Sequence, residues 1–181
     1  MKRILVSAFV LCLVVLTGYG VVVHGLSYQV VGFRPSPPPL DPPHLAAIQT
    51  RLPSASGRTT PPAALQQFAI AETARSLRFT LKRNALTDPN KIVDGQQAHC
   101  KMYAYVAAAT YNQLARQRQW PATCRVAYGH VYLYGISLHR FIPGAFFQDH
   151  DFCVFADEQG TYAADASLYD YCLVGRIRLR K

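Results

Sequence analysis

Apolar positions along the chain fall into blocks of different period. Residues 4–23 are apolar almost without interruption, while residues 34–62 hold nine of the twelve prolines and show no period. Between 63 and 82, Leu65, Phe68, Ala69, Ala71, Ala74 and Leu77 approximate a helical stripe. Residues 84–95 predict a loop, with a turn at Thr87-Asp88-Pro89-Asn90. A second helix is predicted over 96–117, led in by Asp94 and Gly95. Its face through Cys100 continues to Tyr103, Ala104, Ala107 and Tyr111 at i, i+3, i+4 spacing. The small residues on that face would let it lie close against a sheet. After Pro121 the pattern changes to β, with strands predicted at 124–135, 151–156, 161–168 and 173–179 and a hairpin turn at 157–160. One long helix followed by an antiparallel meander predicts an α+β fold. No internal repeat is visible.

The first block changes the picture of location. Met1-Lys2-Arg3 precedes the apolar run, and a basic tip before such a run reads as an export signal. Its length, 20 residues from Ile4 to Val23, equally suits a retained membrane anchor. Either reading makes residues 1–25 a signal peptide or anchor and places the rest extracytoplasmically, periplasmic or at the cell surface. Proline removes backbone donors and fixes φ, so residues 26–62 predict an extended linker and 63–181 one domain.

The net charge is +9, and +7 once residues 1–25 are set aside. Such an excess favours anionic surfaces or polymers. The basic tail Arg176, Arg178, Arg180 reads as one face of an edge strand, and no nucleic-acid motif accompanies it. Cys12, Cys100, Cys124, Cys153 and Cys172 show no zinc-type spacing, so no metal site is expected. An oxidising compartment favours bridges, and Cys124 with Cys172 is the expected pair, leaving Cys100 free.

Cys100, His150 and Asp165 carry the candidate chemistry. A cysteine at a helix N-terminus gains positive partial charge that favours the thiolate. If Ala156 pairs with Thr161 across the turn, His150 lies opposite Ser167 and diagonal to Asp165, on one face and about 7–8 Å apart. A slip of one residue would turn one of them away. Asp165 could then hold the imidazole as base for Cys100. His99 is set aside because adjacent helical residues diverge. His139 reads as a solvated loop residue and His130 as a packed or exposed strand residue. Asp149 and Asp151 flank His150 but point elsewhere.

These motifs together resemble the transglutaminase-like domains of the papain-like cysteine-enzyme superfamily. The resemblance covers 63–168. It rests on Gly95-Gln96-Gln97-Ala98-His99-Cys100 opening a helix, the strand after Trp120-Pro121, His150-Asp151-Phe152, and Tyr162-Ala163-Ala164-Asp165. Ala98 stands where the family often has glycine, and Phe152 where it often has tryptophan. The resemblance implies a Cys100–His150–Asp165 triad acting on amide bonds of a peptide or protein, as peptidase, amidase or cross-linker, without a cofactor. The Cys100 backbone N–H and a side-chain amide, Gln96 or Gln97, would stabilise the oxyanion. A second reading stays open: an inactive module that binds a protein or anionic partner at the cell surface, tethered to the membrane if the N-terminus is uncleaved.

Overall fold

The computed structural model describes residues 20, 23–52, 62–81, 86–141, 149–157 and 160–180. Within them the architecture is mixed α and β, with a mostly antiparallel sheet. Helix α4 (Cys100–Gln117) is its centre. Alanine-rich sequence gives it strong helix propensity, and every residue from Met102 to Tyr111 is buried, as befits a helix enclosed on several sides. It packs on α2 (Pro62–Ser76), on α3 (Pro89–Gly95) and on one face of the sheet.

The sheet runs in the order β7 (Gly160–Ala164), β6 (His150–Asp157), β4 (Thr123–Leu133), β1 (Leu26–Phe33), β8 (Arg178–Leu179). Only the β1–β8 pairing in it is parallel. A short β5 (Ile136–Ser137) folds back on β4, and β2 (Arg78–Phe79) pairs with β3 (Gln97–Ala98) just before Cys100. The two edges of the main sheet meet. Ala163 and Ile177 exchange backbone hydrogen bonds of 3.0 and 2.8 Å, so the sheet curls into a small barrel.

Alternation along the strands sorts side chains to the two faces. Cys153 and Phe155 of β6 face α4 in the larger core, which also takes in Cys124, Val126, Tyr162 and Ala164. Phe152 and Val154 point into the curl, where they meet Tyr28, Ala127, Ala163 and Ile177. Only the C-terminal segment, through Val174, Ile177 and the partly buried Leu168, completes this second core.

Several elements differ from the pattern-based expectation. Residues 26–33, assigned to the spacer, are a central strand. Leu26, Tyr28 and Val30 alternate with Ser27 and Gln29, and the prolines begin only at Pro35, so nothing prevents full pairing with β4. Within the proline-rich stretch, α1 (Pro42–Gln49) places its prolines in the first turn, where the missing N–H costs nothing, and buries Leu45 and Ile48. The expected loop at 84–95 contains α3, with Pro89 at its first position and the Asp88 carboxylate accepting from the Asn90 N–H. Gln96, left-handed at φ 55°, ends that helix, so α4 starts at Cys100 rather than at 96.

The predicted register of β6 and β7 is observed: Ala156 faces Thr161. But β7 ends at Ala164, and Ser167 belongs to α5 (Ala166–Cys172), not to a strand opposite His150. The last strand shrinks to Arg178–Leu179 plus the bridge at Ile177.

The expected Cys124–Cys172 bridge is not formed; Cys100, Cys124, Cys153 and Cys172 are all free thiols. Cys124 lies in the core facing α4, whereas Cys172 packs against the cluster inside the curl. Most of the apolar run 4–23, and Cys12 with it, lies outside the described residues. Among the described residues no helix is long and apolar enough to cross a membrane.

Candidate active site

Cys100 is the first residue of α4, His150 the first of β6, and Asp165 the residue joining β7 to α5. All three line one cavity of about 450 Å³ at an end of the curled sheet. His150 Nε2 lies 2.5 Å from Asp165 Oδ2. The imidazole also lies close enough to the Cys100 sulfur for the two to shift each other's pKa through hydrogen bonding and charge. With Nε2 donating to a carboxylate, Nδ1 is the nitrogen left for the thiol.

Asp165 is held by more than the histidine. Its Oδ2 also accepts from the Tyr28 hydroxyl at 2.7 Å, and its Oδ1 accepts from the N–H groups of Ser167 (2.9 Å) and Leu168 (3.1 Å) and from the Ser167 hydroxyl (2.6 Å). The side chain that orients the imidazole is thus also the N-cap of α5. Burial alone would raise its pKa, since only 2 % of the side chain is exposed. The histidine charge and the donated hydrogen bonds prevail and bring it down to about 2.

Burial pulls the His150 imidazole down, but the charge and hydrogen bond of Asp165, joined by Cys100, raise it well above 6.5. For Cys100 the balance runs the other way. Burial pushes the thiol up; hydrogen bonds to His150 and His99, the imidazole charge and the Asp151 backbone N–H lower it from 9.0 to about 6. At neutral pH the pair is therefore thiolate and imidazolium. Tyr28, fully buried, is shifted up by burial and by Asp165, so it remains a donor.

The supports come from neighbouring elements. Arg34, just after β1, donates through Nε to Asp151 at 2.7 Å and through Nη2 to Asp149 at 3.0 Å. The two aspartates that flank His150 thereby fix the start of β6 without competing for the imidazole. Gly129 of β4 pairs with His150 on one side and Val30 on the other. A Cβ there would sit 1.8 Å from the Gln29 carbonyl oxygen, so only glycine allows the strands this close. The Tyr28 ring meets the imidazole edge-on at 5.6 Å.

Sequence reasoning missed Tyr28 because its strand was read as spacer, although the alternation around it was visible. It also misjudged two histidines. His99 is extended rather than helical, so the divergence of helical neighbours does not apply, and it hydrogen-bonds Cys100. His139 lines the cavity, its Nε2 accepting from the Val131 N–H at 2.9 Å. Gln96 and Gln97 remain exposed, and neither lines the cavity. Among the described residues no cluster of three or more His, Cys, Asp or Glu suited to a metal ion is found.

Chemically, the arrangement offers a thiolate sulfur, an oriented imidazolium beside it as proton donor and a buried carboxylate behind that. No protein-family model, curated protein or solved structure matches this chain.

Proposed function

We propose that this protein is a cysteine-dependent acyl-transfer enzyme acting on amide bonds, with a papain-like, transglutaminase-like arrangement of Cys100, His150 and Asp165. The observation that carries the reading is that Cys100, His150 and Asp165 line one cavity, with the imidazole bonded to the carboxylate and near enough to the sulfur to lower its pKa. The Cys100 thiolate adds to the amide carbonyl, and the first-turn N–H groups of α4, which have no partner within the helix, favour the developing oxyanion. As the C–N bond breaks, the leaving amine takes the proton from His150. The acyl group remains on sulfur as a thioester. Water, or an amine in a cross-linking reaction, then gives its proton to His150 as it attacks, and the C–S bond breaks to restore the thiolate. No cofactor enters these steps. The basic tip and apolar run at the N-terminus support an extracytoplasmic site of action, with the domain exported or anchored.

Mass spectrometry of the full chain incubated with amide donors tests the reading. An acyl adduct mapping to Cys100, abolished by Cys100→Ala and slowed by His150→Ala, is expected. An adduct that persists in Cys100→Ala, or thiol labelling that requires unfolding, would favour a catalytically silent binding module.

A further inference from the structure

We propose that the acyl donor is a long aliphatic chain, lodged in the open end of the curled sheet with its carbonyl at Cys100. This rests on the acyl-transfer reading and names its substrate class. The floor of the cavity is made by two directly opposed pairs on β1 and β4, Leu26 with Leu133 and Tyr28 with Val131. Leu138, Leu168 and Phe79 add apolar walls. The volume of about 450 Å³ lies within the range of sites that engulf a small ligand.

Apart from the Tyr171 hydroxyl, on a residue 68 % exposed, most polar groups on these walls already have partners. The Tyr28 and Ser167 hydroxyls donate to Asp165, His139 Nε2 accepts from Val131, and Asp149 pairs with Arg34 at 3.0 Å. Much of the floor's backbone is committed as well: β1 is paired on both sides, with β4 and β8, and the other side of β4 meets β6, β5 and, through the Val131 N–H, His139. A peptide lying along this floor would bring amide groups that β1 and β4 leave few partners for, and each unpaired buried group is costly. A hydrocarbon chain asks for no such partner and gains from every methylene it buries.

The segment that carries Leu138 and His139 is itself rich in exposed large side chains. Tyr134, Ile136 and Phe141, each more than half exposed, surround the turn that supplies Leu138 and His139. The Tyr134 N–H donates to the Gly25 carbonyl at 2.9 Å, so this apolar hairpin sits beside the end of the apolar N-terminal run. Leu26, a floor residue, follows Val23 by three residues, a reach of no more than about 10 Å.

Acyl 4-nitroanilides of increasing chain length (acetyl, butyryl, octanoyl, dodecanoyl) and a tri-alanyl 4-nitroanilide, offered to the full chain, provide the test. Adduct formation on Cys100 and kcat/KM should rise with length, by at most about fourfold per methylene, up to at least octanoyl. Leu133→Trp should bring the dodecanoyl rate down to the acetyl rate while iodoacetamide still labels Cys100 at the native rate. If that variant does not fold, Leu138→Trp on the opposite wall serves the same purpose. Donor dispersed in solution and donor held in phosphatidylcholine vesicles distinguish a soluble source from a bilayer source, and faster acylation from either sustains the chain assignment. A flat length profile, or a peptide donor tenfold better than dodecanoyl, overturns the aliphatic assignment and spares the thiol chemistry. Absence of any Cys100 adduct, whatever the donor, removes the acyl-transfer reading and this inference together.

Discussion

Two opposing shifts on neighbouring atoms define Cys100 and His150. The sulfur is easier to ionise than a free thiol although it is largely enclosed, because the imidazolium beside it outweighs desolvation. Alkylation by iodoacetamide should therefore follow a pH profile with its midpoint at about 6 instead of 9.0. His150→Ala removes the main lowering partner and leaves burial in place, so the midpoint should move upward, and at pH 7 the rate should fall by about tenfold or more. A midpoint that stays at about 6 in His150→Ala would show that His150 does not set the thiolate. The cysteine and the histidine were legible as candidates from residue type and spacing. The help of His99 was not, since it depends on the extended φ of −108° at the helix N-cap.

At the scale of elements, Asp165 joins the end of β7 to the start of α5 and does two jobs with one carboxylate. Asparagine caps helices about as well as aspartate, so Asp165→Asn should keep most of the helix while losing the charge that stabilises the imidazolium. Acylation should fall by tenfold to a hundredfold and Tm only by what the lost charge contributed, whereas Asp165→Ala should lose the cap as well, about 1 kcal/mol or more of further stability. Acid adds a signature. A carboxylate depressed from 3.8 to about 2 contributes stability that is full above 3.8 and is lost as pH falls through that window. The contribution is on the order of 2 kcal/mol, and urea unfolding between pH 5 and 2 should show it shrinking in Asp165→Asn. Gly129 binds two elements more closely than any other residue could allow. Gly129→Ala should part β1 from β4, cost about 1–3 kcal/mol and lower Tm, because a methyl would meet backbone rather than a flexible side chain. An unchanged Tm would mean the strands can separate freely there. The supposed register, Ala156 opposite Thr161, is the one observed, although a turn two residues tighter would also have kept His150 and Asp165 on one side. The conversion of 166–168 from strand to helix was not legible, because the cap that starts the helix is a side chain also bonded by β1 and β6.

For the molecule as a whole, β1 decides whether there is a site. It lies between β4 and β8, supplies Tyr28 to Asp165 and Leu26 to the cavity floor, and is followed by Arg34, which holds Asp149 and Asp151. A chain starting at residue 24 should therefore unfold cooperatively in urea, while one starting at residue 34 should lose that transition and its Cys100 reactivity. Retention of both by the shorter chain would make β1 dispensable and would contradict the closed sheet. The N-terminal run itself is a matter of sequence composition, and its consequence for location is a proposal to be tested by fractionation of the native protein.

The amino-acid sequence alone determined the α+β character, the long alanine-rich helix with a cysteine at its head, and the two-residue alternation that allows His150 and Asp165 to share a side. These are local matters: period, propensity and turn length act over a few residues, and their signal survives without knowledge of the rest of the chain. Only the tertiary structure decided that 26–33 closes the sheet, that Tyr28 steadies the carboxylate, that Cys124 and Cys172 lie in different cores, and that an apolar cavity stands before the sulfur. Each of those depends on contacts between distant segments; Tyr28 and Asp165, for example, are 137 residues apart. Such pairings are set by which faces remain unburied after the local elements form, a sum over the whole chain that no window of sequence contains.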